Sequence, residues 1–163
     1  MELLQRRMQN LLGGVKIQKR DLETKNTKAQ GSATLKDTAF AIISLNENPV
    51  LVEGKLYKKN ETVKTIQTGI DGIATTTADL LPYGKYKLEE TKAPEGYLTD
   101  GAKAIEFSIT ENGKIVDLTD ESHSIYNQIK RGDLEGVKIG AGTHDLQMFL
   151  LRLQVKQPER AIL

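Results

Sequence analysis

Leu81–Tyr97 reads LPYGKYKLEETKAPEGY. Pro82-Tyr83-Gly84 at one end and Pro94-Glu95-Gly96 at the other are turn signals, and the residues between them alternate in character. Successive side chains of a strand point to opposite faces, so Tyr86, Leu88 and Glu90 share one face while Lys85, Lys87 and Glu89 share the other. The first face is apolar until it reaches Glu90. A carboxyl group is thereby aimed at a core.

Two other segments break their apolar face in the same way. Val15, Ile17 and Lys19 line one side of a strand against Lys16, Gln18 and Arg20, and Ile125, Asn127 and Ile129 line one side against Ser124, Tyr126 and Gln128. An amine, a carboxyl and a carboxamide are thus all expected to point inward. Buried ionisable groups are uncommon unless paired, and these three can remove the problem by reacting. Desolvation lowers the pKa of a lysine and raises that of a carboxyl. A neutral Lys19 could then attack the Asn127 carboxamide while a protonated Glu90 hydrogen-bonds the carboxamide oxygen, polarises the carbon and relays protons until ammonia leaves. The parity pattern therefore suggests an intramolecular Lys19–Asn127 isopeptide bond assisted by Glu90. The bland alternative is a buried hydrogen-bonded cluster of the same three residues. In either case the chain is not expected to be a turnover enzyme, since the reaction occurs once per molecule.

Short alternating runs recur near 14–21, 37–46, 49–57, 61–69, 73–77, 84–92, 103–111, 114–119 and 123–129. That spacing is expected of an all-β sandwich or barrel. Asn112-Gly113, between EFSITE and KIVDLT, gives the best hairpin signal because both residues tolerate positive φ. Residues 22–36 are polar and read as an exposed loop. Helical patterns are scarce, and Thr76–Leu81 is expected to give a single turn.

The chain has 163 residues, 38% hydrophobic and 28% charged, enough for one core with flanking sequence. Its net charge of +1 argues for neither nucleic acid nor an anionic membrane as partner. The absence of Cys excludes a disulfide framework, a thiol nucleophile and Cys-ligated zinc. No apolar run reaches 18 residues, so neither a signal peptide nor a membrane anchor is expected within the chain.

Four stretches follow from this reading: an N-terminal tail at 1–13, a β-sandwich domain at 14–129, a linker with the first strand of a following domain at 130–144, and an anomalous tail at 145–163. GVKIQ at Gly14–Gln18 reappears as GVKIG at Gly136–Gly140, an offset of 136 − 14 = 122 residues. At the position equivalent to Lys19 this second copy carries Ala141, so it could not make the same bond. LQMFLLRLQVKQPERAIL, from Leu146 on, is Leu-rich without strand alternation, and one reading of it is a short amphipathic helix. Read from the third base of the Leu146 codon, suitable codons give ANVPFKITSKTTGESHI, whose VPFKITS is similar to TAFAIIS at Thr38–Ser44. The tail is therefore read as out of frame, and resequencing the DNA across His144–Met148 would test this.

VKIQKRD at Val15–Asp21, LPYGKYKLEETKAPEGY at Leu81–Tyr97 and SIYNQ at Ser124–Gln128 together resemble the collagen-adhesin B-type, SpaA-like pilin domains of Gram-positive surface proteins. The E-T-x-A-P-x-G-Y string is the most specific part. The resemblance, over roughly Gly14–Ile129, implies a prealbumin-like, Greek-key β-sandwich used as a stalk or spacer module at the cell surface or cell wall. It implies Lys19 as nucleophile, Glu90 as proton shuttle and Asn127 as acceptor, with no cofactor and no metal. The expected partners are neighbouring domains of the same surface protein, in a monomeric chain.

A second function class is a ligand-binding adhesin module, whose loops around 22–36 or 54–62 would contact a host matrix protein or glycan. Tyr83, Tyr86 and Tyr97 could then form a carbohydrate platform, although packing at the end of the sandwich is the simpler role. Arg131-Gly132-Asp133 spells an integrin-type tripeptide but reads better as a linker. His123 and His144 are expected at the surface. Phosphate loops and Ser-His-Asp arrangements are missing.

Overall fold

The alternation of Val15–Lys19 becomes β1 (Leu12–Asp21) in the computed structural model, which describes residues 11–99 and 104–132. The other strands are β2 (Ala39–Ser44), β3 (Val50–Val52), β4 (Lys55–Tyr57), β5 (Thr62–Gln67), β6 (Ile73–Thr75), β7 (Leu81–Pro82), β8 (Gly84–Lys92), β9 (Ile105–Ile109), β10 (Ile115–Leu118) and β11 (Ile125–Asn127). No helix occurs among the described residues. The expected turn of helix at Thr76–Leu81 is instead a non-helical turn leading into β7. There the Thr76 hydroxyl accepts from the Val15 N–H at 3.0 Å, and the Thr76 N–H donates to the Val15 carbonyl at 2.9 Å, tying the segment to β1 rather than to itself.

One sheet is organised around β1. β7 and β6 pair with it antiparallel, while β10 and then β11 pair with it parallel along its length. The second sheet has the order β5-β2-β8-β9, antiparallel throughout. Val15 and Ile17 from the first sheet pack in one core with Phe40, Ile42, Tyr86, Leu88, Phe107 and Ile109 from the second. This is the expected all-β sandwich.

Gly14 lies where β1 crosses close to the Thr76-Thr77 backbone. A Cβ there would stand 2.1 Å from the Thr77 carbonyl oxygen, so no side chain fits.

Three local expectations need correction. Residues 49–57 form a hairpin, β3 paired with β4, because Glu53 and Gly54 both take positive φ, at 49° and 81°, and reverse the chain. Asn112-Gly113 does make a turn, with Gly113 at φ 74°, but β9 and β10 do not pair with one another. β9 joins β8 and β10 joins β1, so the turn carries the chain from one sheet to the other. Gln18, expected on the outer face, is buried because its amide donates to the carbonyls of Lys19 at 2.9 Å and Asp71 at 3.0 Å. The strand repeat and the shifted reading frame after Asp133 lie outside the described residues, as do residues 1–10.

Candidate functional site

β1 and β11 are parallel neighbours in the register Lys19↔Ile125 and Asp21↔Asn127. Asn127 therefore sits two residues further along the adjacent strand on the same face as Lys19, within reach of a long side chain. β8 of the facing sheet supplies Glu90, two residues beyond Leu88 on its inward face. Thus the three residues singled out by parity come from two sheets and meet between them.

Lys19 is fully buried and the Glu90 side chain is only 2% exposed. Lys19 Nζ lies 3.6 Å from Glu90 Oε2 and donates to the Ile125 carbonyl at 2.9 Å. Asn127, also buried, donates through Nδ2 to Glu90 Oε1 at 2.9 Å and to the Leu98 carbonyl at 2.6 Å, so Glu90 meets the amide nitrogen and not the carboxamide oxygen that a polarising contact was expected to use. The Leu98 carbonyl fixes which way the carboxamide faces, because only its NH₂ end can approach another carbonyl so closely. Glu90 Oε2 and Asn127 Oδ1 are buried without a hydrogen-bond partner.

Burial dominates the electrostatics of the pair. It lowers Lys19 from 10.5 to about 8, against the pull of the Glu90 carboxylate and, more weakly, of Asp21. Burial likewise raises Glu90, against its hydrogen bond from Asn127 and the charge of Lys19. Both shifts favour a neutral amine facing a protonated acid. That is the protonation state in which Nζ has a free lone pair and the acid has a proton to give.

Parity did not identify the support around this cluster. Asp21 belongs to the same inward row as Lys19 and is fully buried. Its Oδ1 accepts from the N–H groups of Glu23 and Thr24, both at 2.9 Å, and its Oδ2 accepts from the Tyr97 hydroxyl at 2.8 Å. Gln30 donates to both oxygens, at 3.0 and 2.9 Å. Burial alone would raise the Asp21 pKa, but these hydrogen bonds outweigh it and hold the pKa below the ordinary carboxylate value. The available signal was the row Val15, Ile17, Lys19, Asp21.

The APEGY turn is anchored beside this row. Gly96, at φ 91°, passes so close to the 22–36 loop that a Cβ would meet that of Ala33 at 2.6 Å. Tyr97 pairs antiparallel with Ile129, and the Leu98 N–H donates to the Gln128 carbonyl at 2.8 Å, clamping the end of β11.

A family model described as the SpaA prealbumin-like fold domain matches residues 13–122. The chain belongs to this family. The matched span contains Lys19 and Glu90 and ends before Asn127. Among solved structures, this SpaA-like domain is similar to the major pilin subunit BcpA of Bacillus cereus, with 26% identity and a TM-score of 0.48 over 74% of this chain and 31% of that one. It is also similar to the TIE protein of Bacillus anthracis, with 25% identity and a TM-score of 0.46 over 72% of this chain and 17% of that one. A third similar structure is the major pilin SpaD of Corynebacterium diphtheriae, with 22% identity and a TM-score of 0.46 over 72% of this chain and 30% of that one. The SpaA-like chain thus spans less than a third of the length of each. No curated protein matches it.

The remaining candidate features have ordinary surroundings. Tyr86 stacks on Phe107 with ring centroids 5.8 Å apart, and Tyr97 is buried against Asp21, so neither offers a face to a sugar. Tyr83 alone of the three is exposed. His123 is at the surface with Nδ1 2.8 Å from Asp120 Oδ2. Arg131 of the tripeptide pairs with Glu23, whereas Asp133 and His144 lie outside the described residues.

Proposed function

We propose that this SpaA-like domain is a load-bearing stalk or spacer module of a Gram-positive surface adhesin or pilin, closed on itself by a Lys19–Asn127 isopeptide bond. The observation that carries the reading is the position of Glu90. It is buried between the amine and the carboxamide, 3.6 Å from one and 2.9 Å from the other. Lys19 Nζ attacks Asn127 Cγ, forming the new C–N bond, and the amine's proton passes by way of Glu90 to Nδ2. The Cγ–Nδ2 bond then breaks and ammonia leaves. No oxidant or cofactor is needed, and folding supplies the effective concentration.

The reaction also accounts for the expense of the site. An ionisable amine buried beside a carboxyl becomes a neutral amide, which has no charge to desolvate. In the parent protein the module's partners are its neighbouring domains, and its place is outside the cell. Intact mass tests the reading. The wild-type chain is expected to weigh one ammonia less than its sequence, and Lys19→Ala, Glu90→Ala and Asn127→Ala are each expected to restore the full mass. A wild-type chain at its full sequence mass would overturn it.

A further inference from the structure

The Asp21 cluster has no part in the bond-forming steps, yet it is buried and richly hydrogen-bonded next to them. Tyr97 joins the two regions. Its hydroxyl donates to Asp21 Oδ2 at 2.8 Å, and the residue after it presents the carbonyl that holds Asn127 Nδ2 at 2.6 Å. Asp21 is in turn the register partner of Asn127, and the Leu22 N–H donates to the Asn127 carbonyl at 2.9 Å. Asn127 is therefore held at its backbone by one segment and at its carboxamide by the other, and the Tyr97-to-Asp21 hydrogen bond ties the two segments together.

We propose that Asp21 and Tyr97 form a positioning latch that keeps the Leu98 carbonyl on Asn127 Nδ2 and so turns the carboxamide to face Lys19. The inference rests on the isopeptide reading above. The Leu98 carbonyl does not react. It accepts the hydrogen bond that aligns Nδ2, the atom destined to leave, beside the acid that must protonate it.

The neutral Lys19 amine carries two hydrogens and one lone pair on a rotatable bond, but an amide plane has one productive orientation. Freed from Leu98, the Asn127 side chain could turn its unpartnered Oδ1 toward Glu90. Nδ2 would then leave the proton relay. A latch whose two residues lie 76 apart in sequence also couples the chemistry to completion of the fold. The amide is aligned only once β1, the APEGY turn and β11 have all docked.

The test follows the reaction during synthesis. The chain is made in a cell-free translation reaction and sampled over time by intact mass. Tyr97→Phe keeps the ring and removes only the hydroxyl, and it is expected to slow ammonia loss by roughly tenfold or more, the scale of effect that misplacement of a reacting group produces. Val63→Ala, which loosens the core at a distance from the cluster, serves as the control and is expected to react at the wild-type rate. In a Lys19→Met background, where no bond can form, ¹⁵N NMR should show the Asn127 side-chain NH₂ exchanging faster with solvent when Tyr97→Phe is added and unchanged when Val63→Ala is added. If the wild type never loses ammonia, the isopeptide reading fails and the latch fails with it. If the wild type reacts and Tyr97→Phe keeps pace with it, or the two variants slow equally, the latch alone is overturned.

Discussion

Lys19 makes the cost of the unreacted site measurable through pH. Its folded pKa of about 8 lies below the ordinary 10.5, so between those values the unfolded chain binds more protons than the folded one. Stability must then rise with pH across that window, with the full burial penalty present below it. Glu90 acts in the opposite sense: its folded pKa is raised, so stability falls as pH increases from the ordinary carboxylate value through the folded one. In Asn127→Ala the amine persists, and urea midpoints measured from pH 8 to 10.5 are expected to climb relative to wild type. In the cross-linked chain the Lys19 nitrogen is an amide and contributes no such rise. Parallel curves for the two proteins would show that Lys19 titrates identically in both. Glu90→Gln should leave the fold intact and the ammonia retained, because an amide cannot relay the proton, and circular dichroism with intact mass checks both halves.

The short elements around β11 are held by specific contacts rather than by length. β11 has three residues, and its place depends on β1, on the Tyr97–Ile129 bridge and on the APEGY turn. Gly96→Ala would put a Cβ against Ala33 at a positive φ, and it is expected to cost about 1 kcal/mol or more in chemical unfolding. Leu88→Ala, in the middle of the core, is expected to cost about 2–5 kcal/mol in the same measurement. These elements also mark the limits of reading the sequence. Lys19, Glu90 and Asn127 were legible as inward-facing because each stands out against the apolar row of its strand. Asp21 stands in the same row, but its partners are backbone groups of its own turn and a tyrosine far along the chain, which alternation cannot reveal. Asn112-Gly113 announced a turn correctly. Whether the next strand returns to the same sheet or crosses to the other is decided by the core, since β1 offers β10 a parallel edge that β9 cannot. Residues 49–57 read as one run although Glu53-Gly54 within it is a turn signal, and the two positive φ values there split the run into a hairpin.

At the scale of the molecule, the first and last described strands lie side by side and parallel. Tension entering at the start of β1 and leaving past the end of β11 loads their hydrogen bonds in shear, and a bond from Lys19 to Asn127 bridges that same pair. The 127 − 19 = 108 residues of sequence separation would then be closed in one covalent loop, worth about 4–5 kcal/mol by the chain-entropy estimate for a cross-link of that length. In single-molecule stretching, wild type is expected to withhold the 19–127 segment from extension, while Asn127→Ala releases it. The central claim concerns two named atoms, so its most direct test is a digest of the purified wild-type chain read by tandem mass spectrometry. A branched peptide is expected, joining a Lys19-containing fragment to an Asn127-containing fragment and lighter by one ammonia than their sum. Recovery of the two fragments as separate, full-mass peptides would contradict it.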